Sequence, residues 1–258
     1  MRSPAILLGL LMALVGCANE AADRVGGSED AIVGGELDTK DPAVVALNIA
    51  STGFAVCTGT LVTPTAVLTA GHCPIDRVWV RQGTRVRSLG WTDHVGVQAS
   101  ARHPGYTAEG GRYDIALIRL DHPLDGIAPV VLSETPLSSA DVGATVRHVG
   151  FGTTGDDWRY VKQIGSGGIK REVSYPITKV DDFFLWSGAP GKQTCLFDSG
   201  GPALRMVNGV ERLIGIVSTG DDCHSDGGDT RVDRADVLSW IDAQLAEWNT
   251  ARPATPKQ

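Results

Sequence analysis

The sequence predicts an all-β fold, either a closed barrel or a sandwich. Three features of the chain point there. Short β-branched runs recur along it, each bounded by Gly, Pro, Asp or Thr. Its 258 residues include 32 Gly, more than a helix-rich fold would use, so turns are frequent. One stretch stands out as helical, a stripe of apolar residues near the C-terminus. With 42% hydrophobic residues the chain can bury a core, which excludes a disordered polymer. Its formal charge of −7 does not fit a basic nucleic-acid surface, so no nucleic-acid partner is expected.

The elements follow in order. Arg2 makes a positive start, and Ala5 to Val15 is an apolar run of 11 residues. That is short for a bilayer span and suits the apolar part of an export signal. The run ends in Leu14-Val15-Gly16-Cys17, similar to the lipobox of bacterial lipoproteins, in which Cys17 is lipidated and becomes the new N-terminus. Ordinary signal cleavage after Ala18 stays open as the alternative, with Gly16 and Ala18 as its small residues. The lipobox is preferred because the cysteine directly follows a fitting tripeptide. Either way residues 1–17 form the signal segment, Cys17 leaves the pairing pool, and four of the five cysteines enter an oxidising compartment. The protein is expected to be exported: a lipoprotein of the outer membrane, periplasm or cell surface, or secreted after processing. Cys17 is its one expected link to a membrane.

Residues 18–31 (ANEAADRVGGSEDA) are small, polar and acidic, and are assigned to a pro-segment or linker. Strands are expected at Val44–Ile49, Thr60–Val62, Ala66–Thr69, Val78–Arg81, Ile115–Leu120, Thr145–Val149 and Leu213–Val217. The helix is expected over residues 234–248. Asp233 would cap it, Asp236 lies in its first turn, and Val237, Leu238, Ile241, Leu245 and Trp248 form the apolar stripe. Residues 249–258 form a frayed tail.

Three segments carry the chemistry: Thr69-Ala70-Gly71-His72-Cys73, Asp114-Ile115-Ala116-Leu117 and Asp198-Ser199-Gly200-Gly201-Pro202. Hydrolysing an amide at neutral pH needs a nucleophile, a base to activate it and a carboxylate to orient that base. One His or one Asp-Ser-Gly-Gly turn is unremarkable, but all three segments in the order His, Asp, Ser are specific. On these motifs the chain resembles the chymotrypsin-like (trypsin-fold) serine proteases over nearly all of Ile32 to Trp248. The motif order separates it from subtilisins and α/β-hydrolases, and Phe197 stands where a nucleophile elbow would need Gly.

The resemblance implies two six-stranded Greek-key β-barrels with a C-terminal helix. The peptidase domain would span residues 32–248, with one barrel at about 32–128 and the other at about 142–232. It implies a serine endopeptidase with Ser199 as nucleophile, His72 as general base and then acid, and Asp114 as orienting carboxylate. The backbone N–H groups of Phe197 and Ser199 would form the oxyanion hole. Cys57 would pair with Cys73 and Cys195 with Cys223, each closure contributing about 2–4 kcal/mol. Ile32-Val33-Gly34-Gly35 is similar to the new N-terminus made by zymogen cleavage, whose ammonium would pair with Asp198. Ala31 precedes that cut, so the activating protease need not be trypsin-like. Arg24-Val25-Gly26-Gly27 offers a trypsin-like cut, but seven residues too early.

In the specificity pocket Gln193 and Thr194 would lie at the base, Ser218, Thr219 and Gly220 along one wall, and Gly227 on the other. Gln193 is neutral where trypsins carry Asp; Asp229 would bring a carboxylate near the base, and Asp221 and Asp222 lie at the mouth. Phe197 departs from the family's Gly: its N–H remains, but a Gly-like dihedral would be strained and the ring would crowd the leaving-group side. That departure supports one rival, a catalytically impaired binding module; a second is an esterase-type hydrolase using the same serine on a non-peptide ester. The other histidines (His94, His103, His122, His148 and His224) are expected on surfaces or loops. No HExxH or CxxC pattern is present and the loop after His72 lacks paired acids, so no metal and no cofactor is expected. The expected partners are a protein or peptide substrate and an activating protease, acting on a monomer.

Overall fold

The structure, a computed structural model, describes residues 32–86, 94–155 and 167–254. The signal segment, Cys17 and the pro-segment fall outside them.

The β-branched runs pair into two sheets. The first half of the chain supplies β1 (Glu36–Leu37), β2 (Val44–Ile49), β3 (Ala55–Thr63), β4 (Ala66–Thr69), β5 (Val78–Arg81), β6 (Val97–Arg102) and β7 (Ala116–Leu120). Six of these form one antiparallel sheet in the order β5-β2-β3-β4-β7-β6. A bridge between Val80 on β5 and Val95, just ahead of β6, brings its two edges together. The second half supplies β8 (Thr145–Gly150), β9 (Arg171–Val180), β10 (Phe184–Ser187), β11 (Pro202–Val207), β12 (Val210–Thr219) and β13 (Gly227–Arg231). These run β9-β10-β13-β12-β11-β8, and β8 pairs back to β9, closing a six-stranded barrel. The short β1 adds to the outside of β9, so the start of the domain leans on the second barrel. This is the two-barrel fold of the trypsin-like proteases.

Period-two alternation sorts the side chains. On β2, Val45 and Leu47 fill the first barrel, while Val44 and Ala46 face the seam between the sheets. On β9, Val173, Tyr175 and Ile177 point into the second barrel and Ser174, Pro176 and Thr178 point out. The seam is itself a core: Leu68 and Leu117 of the first sheet meet Val149, Leu213 and Ile216 of the second. Helix α1 (Ala235–Glu247) lays Val237, Ile241 and Leu245 onto this seam.

Asp233 does not cap that helix. Arg234 is the N-cap residue, with no side-chain capping bond. The Asp233 carboxylate is buried and accepts the Leu137 N–H at 2.5 Å and the Arg231 guanidinium at 2.6 Å and 3.1 Å. Burial decides the matter, because a carboxylate out of water needs a cation more than a helix end needs a cap.

Arg231→Ala should therefore cost about 3–5 kcal/mol, since it leaves Asp233 buried without its cation. Urea unfolding should show this as a lower midpoint at unchanged slope; a loss below about 1 kcal/mol would contradict the pairing.

Candidate active site

β4 ends at Thr69, and the turn after it presents His72. Gly71 belongs to that turn because a Cβ there would stand 3.1 Å from Asp114 Oδ1. Asp114 lies just ahead of β7, after Tyr113, which adopts a left-handed φ of 51°. The Asp114 carboxylate is turned into the protein, its side chain 3% exposed. Its Oδ1 accepts the His72 backbone N–H at 2.8 Å, and its Oδ2 lies 2.7 Å from His72 Nδ1. The Ser218 hydroxyl donates to the same Oδ2 at 2.7 Å. A carboxylate at Nδ1 holds the proton there and leaves Nε2 free as the basic nitrogen. Arg102 clamps the turn from the other side, donating to the Gly71 carbonyl at 2.6 Å and the Cys73 carbonyl at 3.0 Å.

Ser199 comes from the second barrel, on the loop between β10 and β11. Gly200 (φ 83°) brings that loop against the first sheet, since a Cβ there would collide with Thr69 Oγ1 and the Thr58 carbonyl. Thr58 on β3 fastens the contact: its N–H donates to the Ser199 carbonyl at 2.8 Å and its hydroxyl to the Phe197 carbonyl at 3.1 Å. Ser199 and His72 line one cleft of about 720 Å³. Among the described residues no hydrogen bond joins Ser199 Oγ to His72; such contacts in enzymes without substrate are often long and tighten on binding.

Two backbone donors beside Ser199 are free. Among the described residues neither the Phe197 nor the Ser199 N–H has a hydrogen-bond acceptor. Phe197 has a φ of 75°, the left-handed conformation that glycine adopts without strain. Behind them Asp198 is fully buried and accepts the Gly152 N–H at 2.8 Å and the Cys195 N–H at 2.9 Å. Burial pushes its carboxyl up to about 7, and the two N–H bonds pull only part of the way back. Ile32 is fully buried, and its N–H, a peptide amide in the intact chain, donates to the Thr153 carbonyl at 3.2 Å.

The cleft also gathers Gln193, Thr194, Ser218, Thr219, Gly220 and Gly227, with Asp221 and Asp222 at its rim. Asp114 sits behind His72 rather than on the surface of the cleft. Disulfides join Cys57 to Cys73 and Cys195 to Cys223, with Cα separations of 6.3 Å and 4.9 Å. Cys57, His72 and Cys73 are close enough to hold a metal ion, but both sulfurs are in the first disulfide.

Two expectations are corrected. His148 is not a surface or loop histidine: it is fully buried on β8, its Nε2 2.9 Å from Asp229 Oδ2 and its ring stacked on Tyr175 at 4.8 Å. The period-two signal was there, since His148 shares the inward face of Val146. Asp229 accordingly brings no carboxylate to the pocket base; it is buried against His148 and does not line the cleft. His103 is half-buried too, stacked on Tyr113 at 4.4 Å, and burial pushes its pKa down. The Ser218–Asp114 bond had no local signal, because the two residues lie 104 positions apart.

A family model for trypsin matches residues 32–241. The chain belongs to the trypsin family. It is 32% identical to a trypsin of Squalus acanthias over 232 residues, covering 84% of this chain and 97% of that protein. It is 30% identical to a trypsin of Xenopus laevis over 253 residues, covering 92% and 98%. Hypodermin-B of Hypoderma lineatum is 32% identical over 232 residues, covering 81% and 86%. The bulky Phe197 beside Ser199 keeps a glycine-like backbone shape.

That shape has a testable cost. A left-handed non-glycine residue stores about 1–3 kcal/mol. Phe197→Gly should be at least as stable as the parent, whereas the β-branched Phe197→Val should lose about 1 kcal/mol. Thermal unfolding of the pair checks this; equal stability of the two variants would mean the loop does not keep φ near 75° in solution.

Proposed function

We propose that this chain is a serine endopeptidase acting through an acyl-enzyme at Ser199, made as an exported zymogen and activated by cleavage before Ile32. The observation that carries it is His72, which lines one cleft with Ser199 and has its Nδ1 2.7 Å from the buried Asp114 carboxylate, beside two N–H groups that find no acceptor among the described residues. Ser199 Oγ attacks the scissile carbonyl carbon while His72 Nε2 takes its proton. The tetrahedral oxyanion accepts hydrogen bonds from the N–H groups of Phe197 and Ser199, each of the kind worth roughly 10²–10³ in turnover. His72 then protonates the leaving amine, and Asp114 stabilises the imidazolium in between. Water repeats the sequence on the acyl ester, with His72 again as base, and releases the acid and Ser199.

Activation rests on Asp198 and Ile32. Cleavage turns the Ile32 amide into an ammonium, which would join the two N–H groups that hold the desolvated Asp198 carboxylate. With Cys17 lipidated and no cysteine in residues 18–31 to tether the pro-segment, the same cut releases the domain from the membrane.

The sign of the pH effect follows. In the intact chain Asp198 is raised from 3.8 to about 7, so its contribution to stability is full below 3.8 and is lost as pH rises through 7. An Ile32 ammonium lowers that pKa, so the cut form should lose less between pH 5 and pH 8. Urea unfolding of Ser199→Ala protein, intact and cut, checks this; an equal decline in both forms would overturn the pairing.

An active-site fluorophosphonate should label Ser199 in the cut chain and leave Ser199→Ala unlabelled, with turnover of a peptide amide falling about 10⁶-fold in that variant. No labelling would favour the binding module, for which strained Phe197 is the one supporting feature. Labelling with turnover of esters but no peptide would favour the esterase.

A further inference from the structure

Phe197 keeps a left-handed φ of 75° while carrying a full side chain, and such a residue relaxes unless its surroundings hold it. That torsion is fixed by the two peptides on either side of it. Both are pinned. Before Phe197, the Leu196 carbonyl accepts the Thr153 N–H at 2.8 Å. After it, the Phe197 carbonyl accepts the Thr58 hydroxyl at 3.1 Å, and the Asp198 N–H donates to the Cys195 carbonyl at 3.1 Å. Among these restraints only Thr58 acts through a side chain.

Its hydroxyl has no choice of direction. The Thr58 oxygen accepts the Phe151 N–H at 3.1 Å, so its one proton goes to the Phe197 carbonyl. Thr58 is fully buried, and water does not compete for that proton. Its own N–H and carbonyl are bound to the Ser199 carbonyl and the Thr69 hydroxyl, each at 2.8 Å. Branching at Cβ limits the rotation that remains. The hydroxyl therefore reaches across the seam from a rigid support on β3.

The restrained backbone carries one of the two free donors. A trans peptide sends its N–H opposite to its carbonyl, so the Phe197 N–H turns away from Thr153. It meets no acceptor among the described residues, and Phe197 lines the cleft beside Ser199. The strain of a left-handed side-chain-bearing residue and the net worth of one buried hydrogen bond are of the same order. One bond can thus decide whether this conformation persists.

We propose that Thr58 is a positioning residue for the reaction: its hydroxyl holds the left-handed backbone of Phe197 and so keeps the Phe197 N–H available to the oxyanion. Thr58 touches neither the substrate nor the reacting atoms. The role rests on Ser199 acting as nucleophile, and goes beyond it by giving the hold to a threonine of the other barrel. Because the oxyanion exists only beyond the ground state, the hold acts on kcat and leaves KM alone. A threonine that only docked the barrels would lower stability, whatever residue stood at position 197.

The test uses the full chain, cut before Ile32 through an introduced enteropeptidase sequence, as parent, T58V, T58S, F197G and T58V/F197G. The isosteric Thr58→Val should lower kcat for a peptide amide about tenfold or more, with KM within about twofold. Thr58→Ser keeps the hydroxyl and should stay within about threefold of the parent. In the Phe197→Gly background the left-handed backbone needs no hold, and Thr58→Val should cost less than about threefold there. An equal loss in both backgrounds overturns the proposal. So does an unchanged kcat in folded T58V, or a loss in T58S as large as in T58V. Where T58V does not fold, Thr58→Ala in the same two backgrounds answers to the same criteria. Rates of fluorophosphonate labelling at Ser199 give a parallel set of comparisons, since phosphonylation also places an oxygen on the two donors. Labelling without cleavage of any peptide overturns the endopeptidase reading while the labelling rates still decide on Thr58. A parent that neither cleaves nor labels overturns both.

Discussion

The loop that carries Ser199 is built around one carboxylate that water does not reach. Asp198 occupies a hollow that only Gly150 and Gly152 leave open, since a Cβ at either position would collide with its oxygens. The N–H groups of Gly152 and Cys195 hold those oxygens, and the Asp198 N–H returns to the Cys195 carbonyl at 3.1 Å. Residues 195–201 thus fold over a buried side chain rather than over a hydrophobic anchor. The turn that carries Ser199, with two N–H groups that find no acceptor among the described residues, follows from where Asp198 sits. A carboxyl driven up to about 7 marks this as a costly arrangement, one that a cation would relieve.

The second dependency is the seam. His72 and Asp114 come from the first sheet and Ser199 from the second, so their spacing is set by how the barrels dock. Thr58 does much of that. Its hydroxyl donates to the Phe197 carbonyl and accepts the Phe151 N–H at 3.1 Å, its N–H holds the Ser199 carbonyl, and its carbonyl accepts the Thr69 hydroxyl at 2.8 Å. Ser218 makes the reciprocal link, reaching from β12 to Asp114. Apolar packing along the seam supplies the non-directional attraction, and these bonds select the register.

Legibility in the sequence follows this division. Strands whose residues are β-branched and apolar can be read from the chain alone: β2, β4 and β5 run over the expected residues. β9 escaped because Arg171, Glu172, Pro176 and Lys179 hide an inward row of Val173, Tyr175 and Ile177 that only alternation reveals. β3 extends back to Ala55 through a stretch that Ala55 and Gly59 interrupt, residues depleted in strands that pairing with β2 recruits. Asp233 met a local capping rule and lost it to Arg231, which no window of neighbouring residues weighs against burial. The cleft residues were legible as motifs, but the bonds between them were not, because Thr58–Ser199 and Ser218–Asp114 join segments far apart in the chain.

His148 and Asp229 pose a different question, since the core of the second barrel is built mainly of Val, Ile and Leu. An ion pair or hydrogen-bonded pair in such a site gives little stability over well-packed apolar residues of equal volume. His148 Nδ1 has no partner among the described residues, so the pair is not even fully satisfied. What it supplies is geometry. A flat ring fixed at one nitrogen by Asp229 gives Tyr175 a surface to stack on, and a flexible aliphatic chain there would not fix the tyrosine's rotation. The hydroxyl of Tyr175 then meets Gln193 at one position and in one direction. On this view the expense of polar groups in the barrel is justified at Gln193 on the cleft, where a freely rotating carboxamide would offer a donor or an acceptor by turns.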